Sequence, residues 1–250
     1  PLFGSMQPIE HRAPKASQMD EWGLGDLYVD RRGKVAVVSV TGMLVFRGGV
    51  LGWCFGCCDT WALAGAFYDL ATDETIETVV VVFDTPGGDT YGIDAVVDAM
   101  RRVAARKLLV GVVVARCYSG GVWLFGQCTQ RFVSRLAGIG AIGVFSVLED
   151  SSGLYEEMGV KRILVASTEL KGINIPGIGI SEVQIAAEGS PVMALHRRFI
   201  EDLTLGTGQD EGTVEGWAES PNLIGSEAVD AGMAHGVSTL EGVLEQVLAA

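Results

Sequence analysis

From Lys34 onward, short runs of apolar, often β-branched residues alternate with amphipathic stretches, and this alternation constrains the fold more than any other feature. The runs Val35–Val40, Thr78–Phe83 and Leu108–Ala115 have the length of buried strands. Each is far shorter than the ~20 residues that a membrane-spanning helix needs. Strands that alternate with helices predict an α/β fold in which helices pack against a mostly parallel sheet.

Spacing and capping residues predict where the helices lie. Asp59 or Thr60 can cap a helix that runs to about Ala71, because short polar side chains accept from the free N–H groups of a first turn. The next helix shows apolar residues at i, i+3, i+4 and i+7: Ile93, Val96, Val97, Met100 and Val103. Further helices are predicted at Val122–Gly126, Pro191–Leu205 and Leu240–Leu248, and a short strand at Arg162–Ala166.

Composition sets the class of protein. The 250 residues are 48% hydrophobic, which is enough for a substantial core and fits one domain over residues 31–250. A net charge of −13 argues against a nucleic-acid partner, because phosphate binding requires clustered Lys and Arg. Residues 1–30 lack helical or strand periodicity and are expected to form a flexible arm, with Pro1–Ser5 before Met6 read as an expression scar.

Five cysteines are too few for a disulfide scaffold in a chain of this length, and their odd number favours a reducing compartment. Cys54 and Cys57 have a Cys-x-x-Cys spacing, but no second pair or Cys/His partner follows at the spacing of a zinc site. The cysteines are therefore not expected to bind a metal.

Ser119-Gly120-Gly121 directly follows a predicted strand and precedes a predicted helix. In such a turn the serine hydroxyl and the next backbone N–H groups face the same place, which suits an oxyanion. A second pair, Gly87-Gly88, follows the preceding strand, and ligands of open α/β sheets bind at these strand ends. Both pairs could also be ordinary tight turns, because glycine is the default turn residue.

A nucleophilic serine needs a base. Of the three histidines, His11 lies in the arm, and neither His196 nor His235 has a carboxylate at a suggestive spacing. Among the five lysines, Lys171 is distinct because it lies between apolar residues and glycine. A lysine can act as a base where a dry site favours its neutral form. Ser119 and Lys171 are therefore the candidate catalytic pair.

Four motifs in order resemble the signal peptide peptidase A and phage capsid-maturation protease family. They are Asp-Thr-Pro-Gly-Gly at 84–88, Ser-Gly-Gly at 119–121, Gly-Ala-Ile-Gly-Val at 140–144, and Lys171. The resemblance implies a ClpP/crotonase-like fold of stacked βα units, with Ser119 as nucleophile and Lys171 as general base. It also implies oxyanion donors at Gly87, Gly88 and Gly120, no cofactor, and a homo-oligomer in which neighbouring protomers can share the catalytic pair.

Two positions depart from the family pattern. The family commonly has serine where this chain has Ala141, and that hydroxyl helps to orient the lysine in some members; tyrosine often stands at the position of Val122. Lys171 could therefore be held less firmly than in other members.

The resemblance leads to one principal function and two alternatives. We expect a serine endopeptidase that processes capsid or scaffold proteins, in the cytoplasm of a bacterial host or in the phage prohead. The alternatives are the soluble domain of a membrane-associated peptidase that degrades signal peptides, and a catalytically weak crotonase-like assembly protein.

Overall fold

The computed structural model describes residues 28–249. The chain forms two compact units: one contains the residues up to Ile142 and those from Asp202 onward, and the other is Gly143–Glu201. The predicted arm falls almost entirely outside the described residues, and the first strand begins at Val29.

A sheet with six strands along its main path forms the centre of the first unit, in the order β1-β2-β5-β6-β7-β10. Its strands are β1 (Val29–Arg32), β2 (Val35–Thr41), β5 (Thr78–Thr85), β6 (Leu108–Tyr118), β7 (Gln130–Val133) and β10 (Gly236–Val237). All neighbours on this path are parallel except β1, which pairs antiparallel with β2. The predicted α/β class with a mostly parallel sheet is confirmed.

Smaller strands complete the first unit. β3 (Leu44–Val45) pairs with β4 (Cys58–Asp59), while β8 (Gly138–Gly140) pairs with both β6 and β9 (Leu223–Ile224). The long strand β6 changes partner along its length, since Val110–Val113 pair with β7 and Arg116–Tyr118 pair with β8. The carboxyl end of β6 is therefore held between β5 and β8.

Helices connect the strands of the first unit. They are α1 (Gly49–Cys54), α2 (Thr60–Thr72), α3 (Ile93–Ala104), α4 (Gly120–Phe125), α7 (Glu211–Ala218), α8 (Ser226–Asp230) and α9 (Leu240–Ala249). The predicted cap is confirmed, because the Asp59 carboxylate accepts from the N–H groups of Trp61 and Ala62. The helices predicted near residues 93–103, 122–126 and 240–248 are also confirmed.

Both faces of the sheet are covered. Alternate valines of β2, β5 and β6 pack against Val243 and Leu244 of α9. Successive strand residues face opposite sides of a sheet, so Gly111, between Val110 and Val112, faces the other way. A Cβ at Gly111 would lie 2.9 Å from the Phe125 ring, which places α4 against that second face. None of the helices in residues 28–249 has the length and hydropathy needed to cross a membrane.

The second unit contains α5 (Ser152–Glu157) and the beginning of α6 (Glu182–Thr207), whose residues from Asp202 belong to the first unit. The helix predicted from Pro191 exists, but it starts earlier, and Pro191 lies inside it. The strand predicted at Arg162–Ala166 is wrong. A strand requires a partner for its N–H and C=O groups, and residues 143–201 contain no strand that could supply them.

Candidate active site

Ser119 lies in the sharp turn between the end of β6 and the start of α4. Its φ of 51° and ψ of −121° are rare for a residue with a side chain. A serine held in a strained strand-to-helix turn at the end of a sheet presents its hydroxyl outward, as a nucleophile requires. The predicted strand-to-helix placement of Ser119 is confirmed.

Backbone hydrogen bonds fix this turn on both sides. The Ser119 N–H donates to the Gly140 carbonyl oxygen of β8 over 2.9 Å. The Ser119 carbonyl oxygen in turn accepts from the N–H of Val122 at 2.8 Å and from that of Trp123 at 3.2 Å. The strained conformation is thus stabilised by both β8 and α4, and the position of Ser119 depends on both.

Gly87 lies directly against Ser119. A Cβ at Gly87 would lie 2.7 Å from the Ser119 Cβ, 2.7 Å from the Tyr118 carbonyl oxygen and 3.0 Å from the Gly120 nitrogen. Gly87 also has a φ of 87°, which glycine adopts without steric cost. Only glycine allows the loop after β5 to approach the serine this closely.

Gly88 forms a parallel bridge with Leu44 of β3. Leu44 donates its N–H to the Gly87 carbonyl oxygen, and its own carbonyl oxygen accepts from the Asp89 N–H. In this pattern the N–H of Gly88 itself points away from Leu44. Gly120 lies close to this loop, since a Cβ there would be 3.1 Å from Leu44 Cδ1 and 4.0 Å from the Gly88 nitrogen. The structure therefore brings Gly87, Gly88 and Gly120 together around Ser119.

Thr85 orders the loop that carries these glycines. Its fully buried hydroxyl donates to the Gly42 carbonyl oxygen at 2.6 Å and accepts from the Gly87 N–H at 3.1 Å. Its methyl group faces Gly121, where a Cβ would lie 2.6 Å away. Sequence reasoning missed both Thr85 and Leu44. The threonine directly before Pro-Gly-Gly was the only available signal, since threonine side chains often bond to backbone groups in turns.

Lys171 belongs to the second unit, whereas Ser119 belongs to the first. Its backbone N–H donates to the Thr168 carbonyl oxygen in a turn, and its side chain is exposed. The other residues of the second unit therefore do not give the Lys171 side chain the expected shielding from water. The pairing of Lys171 with Ser119 stays a prediction.

His235 is already engaged in a contact with the backbone. His235 uses its Nδ1 to accept from the Arg131 backbone N–H at 3.0 Å. Burial, followed by the neighbouring Arg131 guanidinium, lowers the pKa of His235 below its usual value. His235 thus has a structural role at the junction of β7 and β10, and His11 lies outside the described residues.

Within residues 28–249, no three His, Cys, Asp or Glu side chains are grouped in a way that could hold a metal ion. Ala141, the departure from the expected serine, is exposed and has a φ of 51°.

A serine in a strained strand-to-helix turn, with glycine backbone packed against it, is typical of enzymes that transfer acyl groups. The profile of peptidase family S49 matches residues 102–249, and the chain belongs to that family. S49 peptidases are serine-type enzymes with a ClpP/crotonase-like fold, so the resemblance noted in the sequence is confirmed.

Three curated relatives cover much of the chain. The capsid assembly protease C of Escherichia phage lambda is 26% identical over 200 residues, which are 80% of this chain and 45% of the phage protein. The head-tail preconnector protein GP5 of Enterobacteria phage P21 is 25% identical over 80% of this chain and 40% of its own length. An Enterococcus faecium protein assigned as a signal peptide peptidase SppA is 25% identical over 70% of this chain and 51% of its own. The chain spans about half the length of these relatives.

Proposed function

We propose that this chain is a serine endopeptidase with Ser119 as nucleophile and Lys171 as general base. The observation that carries this proposal is the strained turn at Ser119, with Gly87 packed against it and the Gly88 N–H pointing away from Leu44 of β3. The buried Thr85 hydroxyl orders this loop before substrate arrives, because it bonds to both the Gly42 carbonyl oxygen and the Gly87 N–H. Preorganised donors of this kind lower the barrier to acyl transfer.

The proposed reaction assigns a role to each of these groups. The Ser119 Oγ attacks the carbonyl carbon of the scissile peptide bond while Lys171 Nζ takes the hydroxyl proton. The N–H groups of Gly88 and Gly120 stabilise the oxyanion of the tetrahedral intermediate. Lys171 returns the proton to the departing amine, and an acyl-enzyme on Ser119 remains. Water, deprotonated by the same lysine, hydrolyses this ester.

Lys171 must lose contact with water to act as a base. Its side chain is exposed, so the surroundings that dry it come from the bound substrate or from a second copy of the chain. We therefore propose a homo-oligomer in which neighbouring protomers can share the catalytic pair. Gel filtration with light scattering tests this, because a monomer that is fully active would contradict a shared pair.

Two of the relatives are named for phage assembly: one is a capsid assembly protease and the other is a head-tail preconnector protein. On this basis we propose capsid or scaffold proteins as substrates, processed in the bacterial cytoplasm or in the prohead. The relative assigned as signal peptide peptidase SppA supports the alternative of signal-peptide degradation. Incubation with a purified phage capsid or scaffold protein, and separately with a synthetic signal peptide, distinguishes the two substrate classes.

The deciding experiment is labelling with a fluorophosphonate, which forms a covalent bond with an activated serine. The parent chain should label, whereas Ser119→Ala should not, and Lys171→Ala should label at least about 100-fold more slowly because general-base catalysis contributes about 10²–10⁴-fold. Lys161→Ala is the matched control, because Lys161 is another exposed lysine of the second unit. Equal labelling of the parent chain, Ser119→Ala and Lys171→Ala would refute the assignment.

The pH dependence supplies a second test. Only a neutral amine can accept the serine proton, so kcat/KM should rise between pH 6 and 9. A rate that falls steadily over this range in a stable protein would contradict a lysine base.

Ala141 favours a second candidate, an assembly protein of the same fold with weak catalysis. This candidate predicts that the Ser119→Ala variant still assembles with capsid proteins as the parent does, while neither cleaves them.

A further inference from the structure

A buried polar network connects α4, which follows Ser119, to the end of α6. The Asp202 carboxylate is 7% exposed and lies between two donors. Trp123 donates its indole N–H to Oδ2 at 2.9 Å, and Arg101 donates from Nη2 to Oδ1 at 2.9 Å. A buried carboxylate is costly unless it is hydrogen-bonded or paired, and here both oxygens have partners.

Gln127, which follows α4 in the chain, completes the network. Its amide donates to the Trp123 carbonyl oxygen at 2.9 Å and to the Asp202 carbonyl oxygen at 3.2 Å. Its Oε1 accepts from Arg101 Nε at 2.9 Å. Trp123 and Gln127 are both almost completely buried, so water does not compete for these bonds.

Two glycines allow the helices to approach closely at the same place. A Cβ at Gly126 would lie 2.4 Å from Leu203 Cδ2, and one at Gly206 would lie 2.5 Å from the Gly126 carbonyl oxygen. The residues of α6 from Asp202 onward thus pack directly against the end of α4.

Helix α4 has six residues and is too short to be stable alone. Its orientation therefore depends on the groups that contact it. Trp123 lies one turn from Ser119 and donates its backbone N–H to the Ser119 carbonyl oxygen. This bond connects the main chain of Trp123 to the residue that we propose as nucleophile.

We propose that Asp202 is a positioning residue: by accepting from the Trp123 indole, it fixes α4 and so places Ser119 and the Gly120 N–H for the reaction. The effect on catalysis rests on the proposed peptidase function, whereas the effect on α4 does not. A displacement of about 1 Å can cost about 100-fold in rate, so small movements of α4 are sufficient.

Two substitutions remove the same hydrogen bond from opposite sides. Asp202→Leu removes the acceptor at similar volume, and Trp123→Phe removes the donor while keeping an aromatic ring. Asp202→Asn retains an acceptor oxygen and should rescue most of the rate. Asp98→Asn is the control, because the Asp98 carboxylate forms an exposed pair with Arg102 and bonds to neither Trp123 nor Gln127.

The kinetic readout is kcat per active site, with active sites counted by fluorophosphonate labelling so that unfolded protein does not contribute. We expect a loss of at least about tenfold in Asp202→Leu and in Trp123→Phe, with KM changed less than twofold. The double variant should lose no more than the larger single loss, since both changes remove one interaction. Unchanged kcat in both single variants, or additive losses in the double variant, would overturn the proposal.

Backbone amide exchange tests the same coupling without activity. The peptide spanning 119–126 should exchange at least tenfold faster in Asp202→Leu and Trp123→Phe, while peptides of α9 keep the parent rate. If the parent chain is not labelled by the fluorophosphonate, the peptidase proposal fails, and exchange still decides the role of Asp202. Parent-like exchange over 119–126 in both variants would refute it.

Discussion

The backbone N–H of Ser119 donates to the carbonyl oxygen of Gly140 over 2.9 Å, which ties the serine to the residue before Ala141. The end of β8 and the turn at Ser119 therefore form one connected piece of backbone. Ser119 and Ala141 share a φ of 51°, so both side chains leave the backbone from strained positions. Position 141 is thus fixed relative to the serine.

Ala141→Ser should raise kcat several-fold, because the resemblance implies that a hydroxyl at this position orients the lysine. The change should leave stability unaltered, since Ala141 is exposed and serine tolerates its backbone conformation as well as alanine does. Ala115→Ser, at another exposed alanine of the first unit, is the control. Steady-state cleavage of casein measures the effect, and an unchanged kcat would show that no hydroxyl is needed there.

Gly87→Ala should destabilise the fold and abolish labelling of Ser119. The left-handed conformation costs about 1–2 kcal/mol for a residue with a Cβ. The contacts with the backbone at Tyr118 and Gly120 add about 1–3 kcal/mol, as in other overpacked sites.

Gly33→Ala separates these two costs, because Gly33 has a φ of 62° and no atom within 4 Å of an added Cβ. In urea unfolding, the loss of stability in Gly33→Ala should therefore equal only the cost of the left-handed conformation. If the two alanine variants were equally stable, steric contact at Gly87 would not be the cause.

Thr85→Val should weaken the fold by about 1–3 kcal/mol, because it leaves the part-buried Gly42 carbonyl oxygen and the buried Gly87 N–H without their partner. The labelling rate of Ser119 should also fall, since the loop that carries Gly88 loses its support. Thr85→Ser retains the hydroxyl and should keep most of the rate. Chemical denaturation and fluorophosphonate labelling of all three proteins measure these effects, and a fast Thr85→Val enzyme would exclude this role.

The five thiols should differ sharply in reactivity. Cys54 is exposed and Cys57 half-buried, whereas Cys58, Cys117 and Cys128 are buried. Burial raises the pKa of the Cys58 and Cys128 thiols to about 12, and that of Cys117 well above its ordinary value. Because the thiolate is the reactive form, these three should not react at pH 8 until the chain unfolds.

A colorimetric disulfide reagent at pH 8 should therefore modify at most two thiols in the native protein and five in denaturant. Cys54→Ser should remove the fastest phase. Because the folded chain keeps these thiols protonated above the pH at which the unfolded chain releases their protons, the free energy of unfolding should be unaffected below about pH 9 and should fall as the pH rises toward about 12. Three or more fast native thiols would contradict the described burial.

Local chemistry was sufficient to predict much of the fold. The cap at Asp59, the valine-rich strands and the strand-to-helix turn at Ser119 depend on neighbouring residues, and each was predicted correctly. The strand at Arg162–Ala166 failed because an apolar run specifies a strand only where a partner strand exists.

The hydrogen bonds that hold the site in place could not be predicted from neighbouring residues. Thr85 bonds to Gly42 across 43 positions, and Trp123 bonds to Asp202 across 79. Contacts at such separations are set by the packing of the whole unit and leave no periodic signal in the sequence.

The bridge between Leu44 and Gly88 determines to which side of the strand the Gly88 N–H points. Along a strand, successive N–H groups point to alternate sides, so a slip of one residue between β3 and the loop would turn the Gly88 N–H toward Leu44. The Gly88 N–H would then donate to the backbone of β3 and could not donate to a ligand. An insertion of one residue that shifts this pairing would remove the Gly88 donor completely, whereas most substitutions nearby would only change its position slightly.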